Sequence, residues 1–244
     1  MTKELHPTRR PQAGDVISYL EMCSLERASL QRGMNYRLGG DYSVVLMSLR
    51  RGSPYDDRVE ENGRVLVYEG HDQPRVPGSA DPKTLDQPLA DSFGRPTQNG
   101  RFFAAALAAR NDERSPDLVR VYEKIRQGIW AFTGTFALVD AWVEQAAGRD
   151  VIKFRMELLG DVDEVGEDRP LSVAEARDSP RVIPTEVKLA VWKRDRGRCV
   201  LCGSTTNLHF DHTIPYSMGG SSTTVENIQL LCAMHNLSKG ATIQ

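Results

Sequence analysis

Residues 199–240 read CVLCGSTTNLHFDHTIPYSMGGSSTTVENIQLLCAMHNLSKG, and the spacing of cysteine and histidine in this stretch decides the fold of the C-terminal region. Two residues separate Cys199 from Cys202, two separate Cys232 from His235, and 29 residues separate the two pairs. A turn that presents two sulfurs and a helix that carries the second pair on one face make a tetrahedral Cys₃His site suited to Zn²⁺. Four protein ligands close the coordination sphere, so the spacing predicts a structural zinc ion.

The residues around these ligands predict the local elements. RCVLCG indicates a knuckle, LHFDHTIP a strand, YSMGGSST a loop, and TVENIQLLCAMHNLSK a closing helix that starts near Asn227. The preceding TEVKLAVWKRDRG predicts a short basic helix. Its basic residues suit contact with a phosphate backbone, and a solvated helix face is the alternative; they are Lys188, Lys193, Arg194, Arg196 and Arg198.

Four polar residues within this stretch have no role in binding zinc. Asp211 and His212 precede the Gly219-Gly220 pair, Asn227 follows it, and Asn236 lies next to a zinc ligand. In this order the residues resemble the HNH nuclease family over roughly residues 192–240. The resemblance implies a ββα-metal fold and phosphodiester hydrolysis. A zinc ribbon that catalyses nothing is the alternative.

The resemblance also implies a role for each polar residue. His212 would be the general base that deprotonates water, and Asp211 and Asn236 would hold one Mg²⁺ or Mn²⁺ ion. Asn227 would orient His212 or tie the loop to the helix. Many members of the family have histidine where this chain has Asn236, a variation expected to change metal preference. His209 shares a strand face with Asp211, so it could touch the scissile phosphate or simply pack.

Composition limits the remaining possibilities. The chain has 244 residues, 40% hydrophobic and 26% charged, which is ordinary for a soluble globular protein. No apolar run is long enough to span a membrane, and the polar N-terminus is not a secretory signal, so we expect a cytoplasmic protein without a membrane partner. The net charge is −2, but residues 161–180 carry seven acidic and two basic side chains. The acidity of that segment leaves a nucleic-acid partner possible for the rest of the chain.

The chain divides into three segments by sequence. Residues 1–160 predict a mixed α+β domain, residues 161–184 an acidic linker, and residues 185–244 the zinc-bearing domain. In the first segment, strands are expected at residues 42–49, 64–70, 135–145 and 150–159, with a hairpin turn at 146–150. Helices are expected at residues 18–33 and 100–111, and a long loop at 71–96.

The stretch SPYDDRVEENGRVLVYEGHD, residues 53–72, is acidic and aromatic where a DNA-binding protein would be expected to be basic. An enzyme that inspects a base outside the helical stack needs aromatic faces and a polar group to read the edge of the base. A carboxylate accepts hydrogen bonds from the exocyclic amine of cytosine. Two tyrosines and an aspartate therefore suit a cytosine pocket, although the string alone is also typical of a solvated loop.

The same stretch is similar to the central block of SRA domains, which read 5-methylcytosine, and residues 117–159 resemble their C-terminal block. The resemblance implies that Tyr55 and Tyr68 stack on a flipped base and that Gly52 forms part of the pocket wall. Asp57 would read the base, with Asp56 as the competing assignment. The group that fills the gap left by the base would come from one of two loops, whose candidates are Arg32, Met34, Asn35, Arg37, Gln98, Asn99 and Arg101.

Together the two resemblances imply a modification-dependent restriction endonuclease of the SRA–HNH type. The expected fold is α+β, with an N-terminal SRA-like (PUA-like) curved β-barrel with flanking helices and a small ββα-metal HNH domain with structural zinc. The expected partner is double-stranded DNA that contains modified cytosine. One HNH site cuts one strand, so a double-strand break implies a homodimer or two binding events. The alternatives are a non-cleaving modified-DNA binding protein and an HNH nuclease that reads RNA or unmodified DNA.

Overall fold

The computed structural model describes residues 10–30, 32–38, 40–159, 182–215, 218–240 and 242. The acidic segment predicted at residues 161–184 lies outside the described residues except for its last three. The described helices are Tyr19–Leu25 (α1), Gln98–Arg110 (α2), Thr185–Arg194 (α3) and Ala233–Lys239 (α4). The described strands are Asp15–Ser18 (β1), Met34–Leu38 (β2), Tyr42–Met47 (β3), Arg58–Glu60 (β4), Val65–Glu69 (β5), Asp117–Arg126 (β6), Ile129–Ala146 (β7), Arg149–Leu158 (β8), Leu208–His212 (β9) and Ile228–Cys232 (β10).

All ten strands belong to one branched sheet in the described part of the chain. The main path runs β10-β9-β1-β7-β6-β3-β2, and a branch from β7 continues through β8 and β5 to β4. The long strand β7 makes the branch possible, because its first residues pair with β1 and its last residues pair with β8. All pairs are antiparallel except β3 with β6. The predicted α+β class is confirmed.

The sheet wraps around a core in which helix α2 packs. Side chains from both branches share one buried cluster, including Val121 on the main path, Phe154 on the side branch and Phe102 on α2. Thr97 caps α2 by accepting a hydrogen bond from the Gly100 amide, and the alanine-rich face lets the helix approach the strands closely. The β7–β8 hairpin turns at Ala147 and Gly148, both with positive φ, as the sequence predicted.

Two helix predictions were wrong in extent. The helix expected at residues 18–33 ends at Leu25, because the chain turns at Arg27 with φ of 50°. The helix expected at residues 224–239 is a 3-10 turn at Val225–Asn227, strand β10 and the short helix α4. The IQLLC run is an apolar segment too short for its periodicity to distinguish strand from helix, and its pairing with β9 decides the matter.

Strand β1 connects the N-terminal region (residues 10–159) to the C-terminal region (residues 182–242). It pairs with β7 on one side and with β9 on the other. A second buried cluster contains Ile125 and Ala131 from the N-terminal region together with Val191, Phe210 and Leu230 from the C-terminal region. The domain boundaries remain a prediction from sequence, while the described residues share one sheet. No described helix has the length and apolar character to cross a membrane.

Candidate functional site

The two halves of the predicted metal site meet. Cys199 and Cys202 come from the knuckle after α3, Cys232 ends β10, and His235 lies in the first turn of α4. Their ligand atoms all lie within 4.8 Å of one another. The Nδ1 atom of His235 is 3.3 Å from the Sγ atoms of Cys199 and Cys232, and the Sγ atoms of Cys202 and Cys232 are 3.8 Å apart. Tetrahedral Zn–S bonds of about 2.3 Å place sulfurs roughly 3.8 Å apart, so this donor set fits zinc.

The cluster favours the thiolate at Cys199. Burial acts to raise the pKa of this thiol, but the backbone amides of Cys232, Cys202 and Leu201 donate to the sulfur and the pKa falls to about 6. A thiolate is the form that binds metal. These backbone amides therefore favour the form of Cys199 that binds metal.

His212 lies at the end of β9, half-buried, with its Nε2 atom 2.8 Å from the Ser222 hydroxyl. Burial lowers the pKa of His212, the Asp211 carboxylate opposes that shift, and the Lys239 ammonium adds to it. Because the neutral imidazole is favoured, His212 can accept a proton at neutral pH. This is the protonation state that a general base needs.

Asp211 and Asn236 lie on neighbouring elements, β9 and α4. Asp211 Oδ2 is 3.1 Å from Lys239 Nζ and 3.3 Å from Gln229 Nε2. The ammonium of Lys239, which is 3% exposed, also donates to the His212 carbonyl at 2.6 Å, so it ties α4 to β9. Asn236 is half-buried one residue after the zinc ligand His235, about 100° further around the helix. A carboxylate and an amide oxygen are donors that Mg²⁺ or Mn²⁺ accepts, with water and phosphate oxygens completing the shell.

Asn227 holds the loop that follows β9. Its Oδ1 atom accepts from the Ile214 amide at 2.8 Å, and its Nδ2 atom donates to the carbonyls of Ser221 at 2.9 Å and Ile214 at 3.2 Å. Gly220 is required beside it, because a Cβ atom there would lie 1.8 Å from the Ile214 carbonyl oxygen. Asn227 was expected either to orient His212 or to tie the loop. These contacts support the second role, since they tie the loop after β9 to the 3-10 turn Val225–Asn227.

His209 is 5% exposed, and its Nδ1 atom lies 2.8 Å from Asp15 Oδ1 on β1. Of the two roles left open, the structure therefore shows packing against the N-terminal region. The suggested phosphate contact of Lys188 is wrong, because this side chain is 3% exposed and its Nζ atom pairs with Glu123 Oε2 at 2.7 Å. The remaining basic residues of that segment are exposed; they are Lys193, Arg194, Arg196 and Arg198.

The acidic, aromatic stretch lines a cavity of about 540 Å³ in the N-terminal region. Its walls come from the end of β3, the loop before β4, the end of β5, the segment before β2 and the β6–β7 hairpin. Tyr55, Asp57, Tyr68 and Gly52 all line it, and Asp56 does not; further lining residues are Arg32, Gly33, Ser48, His71, Lys124 and Trp130. Of the two aspartates considered as the residue that reads the base, Asp57 therefore lies at the cavity and Asp56 does not.

The Asp57 carboxyl group is held by two backbone amides. Oδ1 accepts from the Glu69 amide at 3.0 Å, and Oδ2 accepts from the Ser48 amide at 3.5 Å. Burial raises the pKa of Asp57 to about 7, and the two amides and the Lys153 ammonium only partly oppose this. Near neutral pH the group is therefore divided between acid and carboxylate. The Asp56 side chain is 75% exposed and pairs with Lys153 Nζ at 3.3 Å, which shows that it points away from the cavity.

His71 belongs to the cavity, although the sequence alone did not identify it. Its ring stacks on Tyr55 with centroids 5.1 Å apart and an interplanar angle of 13°, and its Nε2 atom is 2.9 Å from the Tyr68 hydroxyl. Burial lowers the pKa of His71 to about 4, so the imidazole is neutral. Asn99 holds its backbone from both sides by accepting from the amide at 2.9 Å and donating to the carbonyl at 2.8 Å. A hint in the sequence was its position three residues after Tyr68.

The structure narrows the candidates for the group that replaces a flipped base. Met34, Asn35 and Asn99 are wrong as candidates, because they are at most 9% exposed and pack within the fold. The side-chain oxygen of Gln98 accepts from the Tyr36 amide at 2.9 Å. The exposed candidates are Arg32 at the cavity, Arg101 on α2, and Arg37, which pairs with Asp117 at 3.0 Å.

Comparison with known proteins gives a match to one protein family and several similar solved structures. Residues 199–242 match the profile of the HNH endonuclease family, and the match includes the Cys₃His cluster, Asp211, His212, Asn227 and Asn236. No curated protein matches the chain.

Among solved structures, the chain is similar to the SUVH5 SRA complex with methylated CHH DNA, at 19% identity and a TM-score of 0.43, over 62% of this chain and 91% of that chain. The SUVH5 SRA structure bound to fully hydroxymethylated CG DNA has 22% identity, a TM-score of 0.43 and the same coverage. Arabidopsis thaliana SUVH6 in complex with SAM has 20% identity and a TM-score of 0.38, over 61% and 26% of the two chains. The role of the N-terminal region is therefore argued from its cavity, and residues 199–242 of the C-terminal region match the HNH endonuclease family.

Proposed function

We propose that this chain is a modification-dependent DNA endonuclease. The cavity takes up a flipped 5-methylcytosine or 5-hydroxymethylcytosine, and the HNH domain hydrolyses a phosphodiester bond nearby. The observation that carries the proposal is the half-buried Asp57 carboxyl group in an aromatic cavity, on the same sheet as the segment that matches the HNH endonuclease family.

The chemistry of Asp57 matches the hydrogen-bonding edge of cytosine. The exocyclic amine of cytosine donates a hydrogen bond, and its ring nitrogen N3 accepts one. A protonated carboxyl group offers one donor and one acceptor, which complements that pair. The pKa of about 7 makes the protonated form available under physiological conditions. Tyr55, Tyr68 and the neutral ring of His71 line the cavity and would contact a base that enters it.

The nuclease residues divide the work of hydrolysis between them. The neutral imidazole of His212 accepts a proton from the attacking water as the water attacks phosphorus. Asp211 and Asn236 would hold a divalent ion, Mg²⁺ or Mn²⁺, which stabilises negative charge on the phosphate and on the leaving oxygen. The Cys₃His cluster joins the end of β10 to α4, the helix that carries Asn236. Lys239, at the other end of the same helix, ties α4 to β9.

Three matched duplexes that carry cytosine, 5-methylcytosine or 5-hydroxymethylcytosine at one position test this function. With Mg²⁺ or Mn²⁺ present, we expect cutting of the modified duplexes and little cutting of the unmodified one. Equal cutting of all three would retain the nuclease and refute the base cavity. Selective binding without cutting would leave a modified-DNA binding protein. An RNA duplex as the preferred substrate would assign the cavity to RNA.

A further inference from the structure

We infer that strand β1 holds the nuclease site at a fixed distance from the base cavity, so that the cut falls at one fixed phosphate relative to the modified base. The inference rests on the proposed function and adds to it a geometric rule for where the cut occurs. It assigns to Asp15 the role of a positioning residue for β9.

The path from the cavity to the nuclease site crosses three paired strands. Trp130 on β7 lines the cavity and pairs with Ile17 on β1. Two residues earlier on β1, Asp15 pairs with His209 on β9. Three residues further along β9 lies His212, the proposed general base. Each step of this path either crosses between two paired strands or follows one strand along its length.

The strand geometry sets the length of this path. Two inter-strand spacings and about five residues along the strands separate Trp130 from His212, which corresponds to roughly 20 Å. At a rise of about 3.4 Å per base pair, that length corresponds to roughly six base pairs of duplex. The cut is therefore expected within about one helical turn of the modified base, which is about 10 base pairs.

The pairing of β1 with β9 depends on particular residues as well as on the strand register. The Phe210 amide donates to the Gly14 carbonyl at 2.9 Å, and the Asp15 carboxylate lies 2.8 Å from His209 Nδ1. Gly14 has a φ of +94°, and a Cβ atom there would lie 2.8 Å from the Phe210 carbonyl oxygen. Only glycine allows the two strands to approach in this way. The pairing thus depends on Gly14, immediately before β1, and not on apolar contact alone.

A second buried contact lies on the other face of the junction. Glu123 on β6 is 1% exposed and accepts from Lys188 Nζ at 2.7 Å and from the Thr185 hydroxyl at 2.5 Å, both on α3. Separating the two regions would break this buried ion pair and would expose the apolar cluster that the two regions share. Strand β9 and helix α3 are each held to the N-terminal region by a separate contact. Rotation of the C-terminal region would therefore have to break at least one of the two contacts.

The length of the acidic segment should consequently be unimportant for the cut position. If residues 161–181 acted as a flexible tether, an insertion there would change the reach of the nuclease. About ten added Gly/Ser residues extend a flexible chain by roughly 17 Å, or about five base pairs. If β1 sets the distance, the same insertion changes nothing.

The test uses the full chain and a duplex with one 5-methylcytosine, and the cut ends are mapped to single-nucleotide resolution. We expect the unaltered chain and a variant with ten Gly/Ser residues inserted after Glu175 to cut at the same dominant phosphate. A cut that moves or spreads in the insertion variant would overturn the inference. If the unaltered chain fails to cut selectively, the proposed function fails instead, so the two failures are distinguishable.

Asp15 variants test the positioning role. Asp15→Ala removes the carboxylate that holds His209, and we expect cuts spread over neighbouring phosphates with binding to the methylated duplex retained. Asp15→Asn keeps an oxygen acceptor and should restore a dominant cut. A residue with only a structural role would lower the melting temperature and leave the cut position unchanged. A sharp cut by Asp15→Ala would therefore remove Asp15 from the positioning role.

Discussion

The cavity and the predicted nuclease site each contain one partly buried titratable side chain, and burial shifts their two pKa values in opposite directions. Burial raises the pKa of the Asp57 acid to about 7 and lowers the pKa of the His212 base. In both cases the uncharged form is favoured. The neutral acid gains a hydrogen to donate, while the neutral imidazole gains a lone pair that accepts a proton. Under the proposed function, the same desolvation would prepare Asp57 to read a base and His212 to activate water.

The two sites also differ in how they are built. The nuclease site draws its ligands and proposed catalytic residues from 42 consecutive residues, held by the Cys₃His cluster and by Asn227. The cavity draws its walls from segments between Arg32 and Trp130 and holds Asp57 by two backbone amides. The first site should therefore depend on its metal ligands, and the second on individual hydrogen bonds. The variants below test that contrast.

Loss of a zinc ligand should have the largest effect. We expect Cys232→Ser to lose bound zinc and all cleavage, because structural zinc contributes an apparent 10–16 kcal/mol in zinc-finger peptides at neutral pH. Metal content by mass spectrometry and thermal unfolding measure the change. Cys23→Ser is the matched control, since Cys23 lies outside the cluster and should leave the zinc content unchanged. Full cleavage by zinc-free Cys232→Ser would contradict a structural metal.

Loss of the general base should abolish most cleavage without changing recognition. We expect His212→Ala to lower the cleavage rate by about 10²- to 10⁴-fold, the usual contribution of general acid–base catalysis. Single-turnover cleavage and a binding assay on the 5-methylcytosine duplex separate the two effects. Ser222→Ala removes only the hydroxyl beside Nε2 and should cost less. Persistent cutting by His212→Ala would remove His212 from the mechanism.

The cavity variants should change selectivity and leave the nuclease intact. We expect Asp57→Ala to weaken the preference for the modified duplex by about 10- to 100-fold, since a buried hydrogen-bonding partner contributes about 1–3 kcal/mol. Asp57→Asn should retain most of the preference, because an amide still offers the base one donor and one acceptor. Asp56→Ala is the matched control at the neighbouring exposed position. A greater loss in Asp56→Ala than in Asp57→Ala would reassign the reading residue.

The smallest effect should be a pH dependence that belongs to Asp57. Below its pKa of about 7 the carboxyl group is protonated and can donate to the base, and above that pH it loses the donor. The preference for the modified duplex should therefore decline as pH rises through about 7. Equilibrium binding to modified and unmodified duplexes from pH 6 to 8.5 measures this change. The Asp57→Asn preference should stay flat over the range, and a parallel decline in that variant would assign the titration to another group.

Local spacing correctly predicted the Cys₃His cluster, because its four residues form two close pairs within a short segment. Strand β10 was missed because IQLLC is too short to show a period, and only its pairing with β9 distinguishes it from a helix. The cavity residues Tyr55 and Asp57 were recognisable, but the choice between Asp56 and Asp57 depended on the distant amide of Ser48. Asp15 could not be found in this way, because its partner His209 lies near the other end of the chain. His71 was missed although its partner Tyr68 lies three residues before it.

The position of β1 between β7 and β9 has a consequence for attempts to exchange modules. A fragment cut at the acidic segment would contain β9 and β10 without their neighbour, and the outer backbone groups of β9 would become an exposed sheet edge. Exposed edges of this kind recruit other chains and promote aggregation. A transplantable nuclease would therefore need to carry residues 10–18 with it, fused ahead of residue 182, so that β9 keeps its partner and only the short strand β1 forms the edge.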